Sequence, residues 1–191
     1  MILTQHGINS LPRAGGNFIE ILGRKYPVVQ IGNQLWMAEN LQAPVATNYP
    51  PNGNASNVED YGLLYLWTSF VNIPDQSVKS TIADIIPSGW RVPSIADFDT
   101  LFATVGGKSV ASRELVHNPA WGFNTQLPGY RDGGGAYSGF NASVYFVCLQ
   151  TPPNYFGGCY VLYRLRNDVQ FETSNSNYAM SFAIRLVKDV A

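Results

Sequence analysis

The densest set of side chains able to make specific contacts lies between Tyr145 and Met180. It comprises Tyr145, Val147, Leu149, Tyr155, Phe156, Tyr160, Leu162, Arg164, Arg166, Gln170, Glu172, Tyr178 and Met180. Tyrosine and arginine supply large contact area and directional hydrogen bonds, the chemistry of recognition rather than of bond breaking. Aromatic core packing would produce a similar pattern and is the competing explanation. Reaction chemistry finds little support elsewhere. His6 and His117 are the only histidines, and no H-E-x-x-H or clustered Cys/His spacing is present, so no zinc site is expected. No G-x-S-x-G occurs. Gly106-Gly107-Lys108-Ser109 ends like a phosphate loop, but Phe102 stands where that motif needs its first glycine. Gly133 to Gly135 lacks the dinucleotide spacing and reads as a turn. These absences lead us to expect no enzyme, no metal and no cofactor. Cys148 and Cys159 fit either a disulfide across a hairpin or two small buried hydrophobes.

Such side chains need a scaffold, and its clearest piece is Pro87 to Gly107. Ser94 followed three residues later by Asp97 has the form of a capping box. Ile95, Phe98, Leu101, Phe102 and Val105 recur at helical steps, and Gly106-Gly107 supplies a stop. This predicts one clear helix over about 94–105. Asn17–Leu22 and Tyr26–Ile31 read as strands, with Gly32-Asn33 closing a tight hairpin onto Gln34–Met37. Residues 42–60 read as a long loop, 107–121 as irregular, and Tyr130–Phe140 as extended arms around Asp132 to Gly135. Val144–Leu149, Tyr160–Arg166, Asp168–Phe171 and Phe182–Leu186 read as further short strands. Residues 1–16 form an arm or linker, and 17–191 one α+β domain of short antiparallel strands and long loops.

At 191 residues the chain is long enough for one buried core. Charged residues make up 13% and the net charge is −1, which disfavours nucleic acid as a partner. No apolar run approaches a membrane span, so no membrane insertion is expected. The first thirteen residues show neither the basic start nor the apolar stretch of a secretory signal.

Five strings occur in order: Ile31 to Leu41, Tyr61-Gly62 to Trp67, Pro87 to Ser94, Leu127 to Arg131, and Arg185 to Asp189. Together they resemble the Fibrobacter succinogenes major paralogous domain family. The resemblance implies a C-type-lectin-like fold, an exported location on a cell surface or phage tip, and apolar Ile86 and Leu186 where relatives often carry cysteines. Calcium-binding lectins of that fold use sugar motifs that Thr151 to Asn154 and Arg166-Asn167-Asp168 only echo. The flanks of Cys148 and Cys159 likewise do not match formylglycine-generating enzymes. Departures from the family pattern concentrate between Tyr145 and Met180, as in the variable proteins of diversity-generating retroelements.

On that resemblance the expected function is binding of a protein or glycan on another cell or particle through a diversified C-terminal surface. The alternative is a structural module of a fibre, pilus or phage tail. Strand alternation sends Val161, Tyr163, Leu165 and Phe146 inward. It sends Tyr160, Leu162, Arg164, Arg166, Tyr145, Val147 and Leu149 outward, where with the remaining candidates they would form one contiguous surface.

Overall fold

The structure is a computed structural model and describes residues 17–45, 47–67, 82–149, 158–172 and 179–190. Its strands begin with β1 (Phe18–Ile21), β2 (Arg24–Ile31), β3 (Gln34–Met37), β4 (Asn48–Tyr49) and β5 (Leu64–Leu66). There follow β6 (Tyr130–Arg131), β7 (Tyr137–Ser138), β8 (Ser143–Cys148), β9 (Gly158–Tyr163), β10 (Gln170–Glu172), β11 (Ser181–Phe182) and β12 (Val187–Asp189). The α-helices are α1 (Val58–Tyr61), α2 (Ile95–Thr104) and α3 (Lys108–His117).

Turn chemistry sets the first sheet. Leu22 and Gly23 both lie at positive φ, which gives the two-residue link between β1 and β2 the twist that paired strands need. Gly32, at φ 61°, begins the link from β2 to β3, and Ile31 pairs with Gln34 across it. The last strand returns to this hairpin, so the order is β1-β2-β3-β12. A second sheet runs β4-β5-β11-β6-β7 and a third β10-β9-β8, every pair antiparallel.

The capping box forms as its spacing predicts: Asp97 N donates to Ser94 Oγ at 3.2 Å, and Ser94 N donates to Asp97 Oδ2 at 2.8 Å. At the other end of α2, Gly107 N closes onto Phe102 O at 2.7 Å, with Gly106 and Gly107 both at positive φ. The chain then re-enters a helix at once, as α3.

That second helix is the first correction to the expected fold. Residues 107–121 are not irregular, because Lys108–His117 is helical over ten residues. Its buried side is only Ala111, Ser112 and Leu115, too narrow and too small to stand out as a stripe. The second correction is to the architecture. Three antiparallel sheets dominate the described residues, and the helices are short. The α+β reading with one helix and a C-type-lectin-like fold is overturned by this arrangement. The long loop expected at 42–60 also contains β4, α1 and two short 3-10 turns.

Two apolar clusters form the core. One gathers Tyr26, Met37, Tyr65, Phe182, Ile184 and Leu186. Ile86 is partly buried against that same cluster, and Leu186 lies fully inside it. The other cluster gathers Trp36, Phe98, Phe102, Phe123, Phe146 and Tyr160. The pair β8 and β9 lies between them and contributes to both. Val147 and Val161 belong to the first cluster, while Val144, Phe146, Cys148, Tyr160 and Leu162 belong to the second. A strand pair covered on both faces cannot present either face to a ligand.

Candidate functional site

The family-like strings meet in one polar network at the junction of the first sheet and α2. Trp36 Nε1 donates to Gln34 Oε1 at 3.1 Å, and Gln34 Nε2 donates to Asp97 Oδ1 at 3.3 Å. Arg91 spans Asp97 and Asp189, reaching the latter at 2.9 Å. Burial alone would raise the Asp97 pKa. The hydrogen bonds from Arg91 and Ser94 outweigh that and hold it below the usual carboxylate range. Three distant stretches, around Gln34, Arg91 to Asp97 and Asp189, are thereby locked to one another.

A second lock is Arg185, only 1% exposed. It donates to Asn40 Oδ1 at 2.9 Å, and to Asn124 O and Gln126 Oε1, each at 2.8 Å. Phe123 O and Met37 O accept from it as well. The rings of Phe123 and Phe146 lie 4.3 and 5.3 Å from its guanidinium carbon. Burial pulls its pKa down to about 9, and the charge of Glu39 works against that shift. Full satisfaction of the guanidinium is what makes burial of this cation tolerable. The strand alternation expected over Phe182–Leu186 is absent, because residues 181–187 are buried on both sides.

Beyond these locks, α3 ends in a cleft of about 450 Å3. Leu115, Val116, His117, Asn118 and Pro119 form one wall, and Pro27, Ala38 and Glu39 another, with Gly122, Asn124 and Thr125 between. Thr125 Oγ1 donates to Leu115 O at 2.7 Å and ties the last turn of α3 to the cleft floor. Glu39 is a half-buried carboxylate whose nearest cation is Arg24, at 3.9 Å. No described residue donates a hydrogen bond to it. Arg24 is committed elsewhere, to both carboxylate oxygens of Glu59 at 3.2 Å.

The turn after β9 meets α3 beside this cleft. The His117 ring bonds the carbonyl of Arg164, so cleft and turn adjoin. The turn backbone is pinned at three further points. Arg164 N donates to Ala142 O at 2.8 Å, Ser112 N to Asn167 O at 2.9 Å, and Val169 N to Lys108 O at 3.0 Å. Its side chains are nonetheless exposed: Arg164, Leu165, Arg166 and Asn167 all face outward, with Leu165 94% exposed. Arg166 pairs with Asp168 at 3.0 Å. A fixed backbone carrying exposed side chains is what a recognition loop requires.

The candidates from sequence therefore divide. Arg164 and Arg166 lie on the surface as expected. Val147, Tyr160 and Leu162 are buried, at 1%, 2% and 0%, because β8 and β9 are packed on both faces. Tyr145 is half-buried, its ring 4.5 Å from that of Tyr130 and 5.9 Å from that of Phe182. Met180 packs against the same cluster, and Leu149 is half-buried with its backbone bonded to Pro93 and Ile95. Gln170 is half-buried in β10. Tyr155, Phe156 and Tyr178, and the side chain of Glu172, lie outside the described residues. The single contiguous surface is not what the described residues form. Leu165, expected inward with Val161, is the most exposed large apolar side chain among them, since β9 ends at Tyr163 and alternation stops there.

Tyr160 owes its burial to polar anchoring as well as packing. Its hydroxyl donates to Asp99 at 2.7 Å and accepts from Lys108 at 3.1 Å, and Lys108 pairs with Asp99 at 2.8 Å. Burial, with the Asp99 charge beside it, pushes its pKa up to about 12. Cys148 is fully buried, and the register sets it opposite Gly158 and Cys159 opposite Val147. The sequence reading missed Glu39, Asn124 and Leu165. Glu39 and Leu165 sit in readable stretches, but nothing local marks either as lining a cleft or adjoining it.

Against known proteins, the profile of the Fibrobacter succinogenes major domain matches residues 29–188. No curated protein and no solved structure matches the chain.

Proposed function

The chain belongs to the Fibrobacter succinogenes major domain family, and from that premise we propose that it is a non-enzymatic, externally displayed ligand-binding domain. Its contact surface is the Arg164 to Asn167 turn together with the adjoining cleft. The observation that carries this is Leu165, 94% exposed on a turn whose backbone is held by α3. A large aliphatic side chain held in water on a rigid support, beside a cleft with apolar walls, offers a partner apolar area to bury. The cleft volume lies within the about 300–1,000 Å3 usual for ligand sites, and its walls are mostly apolar with few polar groups. Among the described residues no cluster of His, Cys, Asp and Glu has the form of a metal site. The likeness to variable proteins of diversity-generating retroelements narrows accordingly to this exposed turn, since Val147, Tyr160 and Leu162 are core positions. A neighbouring reverse transcriptase gene with an adenine-mutated template repeat would support that narrower form.

The test is binding of the domain to immobilised glycan panels, surface-protein panels and intact bacterial cells. A double variant, Arg164→Glu with Leu165→Asp, should lose binding while its Tm stays within about 2 °C, as for exposed substitutions generally. Binding that survives the double variant would place the contact elsewhere.

A second reading, an assembly module of a surface fibre, has its own observation. Among the described residues the outer edge of β1 has no partner strand, and Phe18 and Leu22 are exposed along it. Open edges recruit strands from other chains. Loss of assembly on introducing proline at the exposed Glu20, with the turn variant unaffected, would favour that reading.

A further inference from the structure

We propose that the ligand of this site is a polypeptide rather than a glycan, one that presents acidic side chains beside an apolar residue. The inference rests on the ligand-binding reading above and names the chemistry of the partner. Sugars are gripped by broad aromatic platforms that cover the apolar faces of their rings, and among the described residues lining the cleft there is no Trp, Tyr or Phe, His117 being the one ring. Its apolar walls are aliphatic and proline: Leu115, Val116, Pro27 and Pro119. Such walls suit an aliphatic or aromatic side chain delivered by a peptide.

The adjoining turn complements this. Leu165 projects between Arg164 and Arg166, both exposed. Arg166 is shared with Asp168, whereas the Arg164 guanidinium has no carboxylate partner among the described residues. Arginine forms paired hydrogen bonds with a carboxylate in a fixed fork geometry. A partner with a carboxylate next to an apolar residue would satisfy Arg164 and cover Leu165 in one contact, while its apolar side chain entered the cleft. The backbone bonds of Arg164 and Asn167 hold the knob and its charge in place before binding, so little ordering cost is left to the encounter.

The experiment uses the full chain, immobilised, and selects a displayed random-peptide library on it. The double variant Arg164→Glu with Leu165→Asp serves as counter-selection, and a glycan panel is screened in parallel. Enriched peptides should carry Asp or Glu within a few positions of Leu, Ile, Val or Phe. Their affinity should fall about tenfold or more between low and high salt, because exposed charge pairs are screened. Affinity should fall by a similar factor in Arg164→Glu, and recover towards the original value when the matching peptide acid is changed to Lys. Enrichment of peptides without acids, or no enrichment at all, overturns the inference. Glycan binding without peptide binding overturns it too, yet leaves the ligand-binding reading standing. Absence of binding in every arm removes both.

Discussion

Arg91 and Arg185 stabilise the same domain by different physics. Arg91 is a partly exposed cation shared between Asp97 and Asp189, whereas Arg185 is a buried cation held by neutral oxygens and aromatic faces. The Asp97 pair has a readable signature in pH. Its carboxyl is held below the usual value of about 4 in the folded state. It therefore contributes stability at pH values above the unfolded pKa, and that contribution is lost as pH falls through the folded pKa. Asp97→Asn should cost about 2 kcal/mol at neutral pH, where it removes a charged acceptor from Arg91, Gln34 and Ser94. Thermal melts from pH 7 to pH 2 should show the difference between wild type and variant shrinking below about pH 4. A difference that stays constant over that range would mean the carboxylate charge contributes nothing.

At the level of elements, legibility followed whether local chemistry alone decided the outcome. α2 was readable from the Ser94 and Asp97 spacing and a wide apolar stripe. The β2–β3 hairpin was readable from Gly32-Asn33, and the β6–β7 arms from Asp132 to Gly135. α3 was not, since Ala111 and Ser112 leave no stripe and the preceding glycines read only as a stop. The faces of β8 and β9 were not readable either. Alternation assumes one wet face, and here both faces meet core, which no pattern within the strand reveals. Of the candidate site, the exposure of Arg164 and Arg166 was legible, whereas the placement of Glu39 and Leu165 was not, because it depends on how distant elements come together. Close approach between elements gives a test at this scale. Gly129 lies at φ 69°, and a side-chain carbon there would meet Ser138 O at 2.1 Å, next to β7. Gly129→Ala should destabilise by about 3 kcal/mol or more in a denaturant titration, by backbone strain plus clash. A loss below about 1 kcal/mol would show that the β6–β7 arm shifts easily.

Across the whole molecule, the residues of the family-like strings, together with Asp97, serve mainly to connect. Gln34 and Trp36, Arg91 and Asp97, and Arg185 and Asp189 tie the first sheet, α2 and the centre of the fold together. What they hold in place is a turn whose side chains are exposed and a cleft whose walls come from separate elements. On the proposed function, the domain divides into a fixed frame and a turn free to vary. The most direct measurement randomises positions 164–167 in one displayed library and positions 91, 97, 185 and 189 in another, and scores protease resistance after a graded heat challenge. Most members of the first library should keep the wild-type midpoint and nearly all of the second should lose it. Equal loss in the two libraries would contradict that division, because the turn would then be part of the frame.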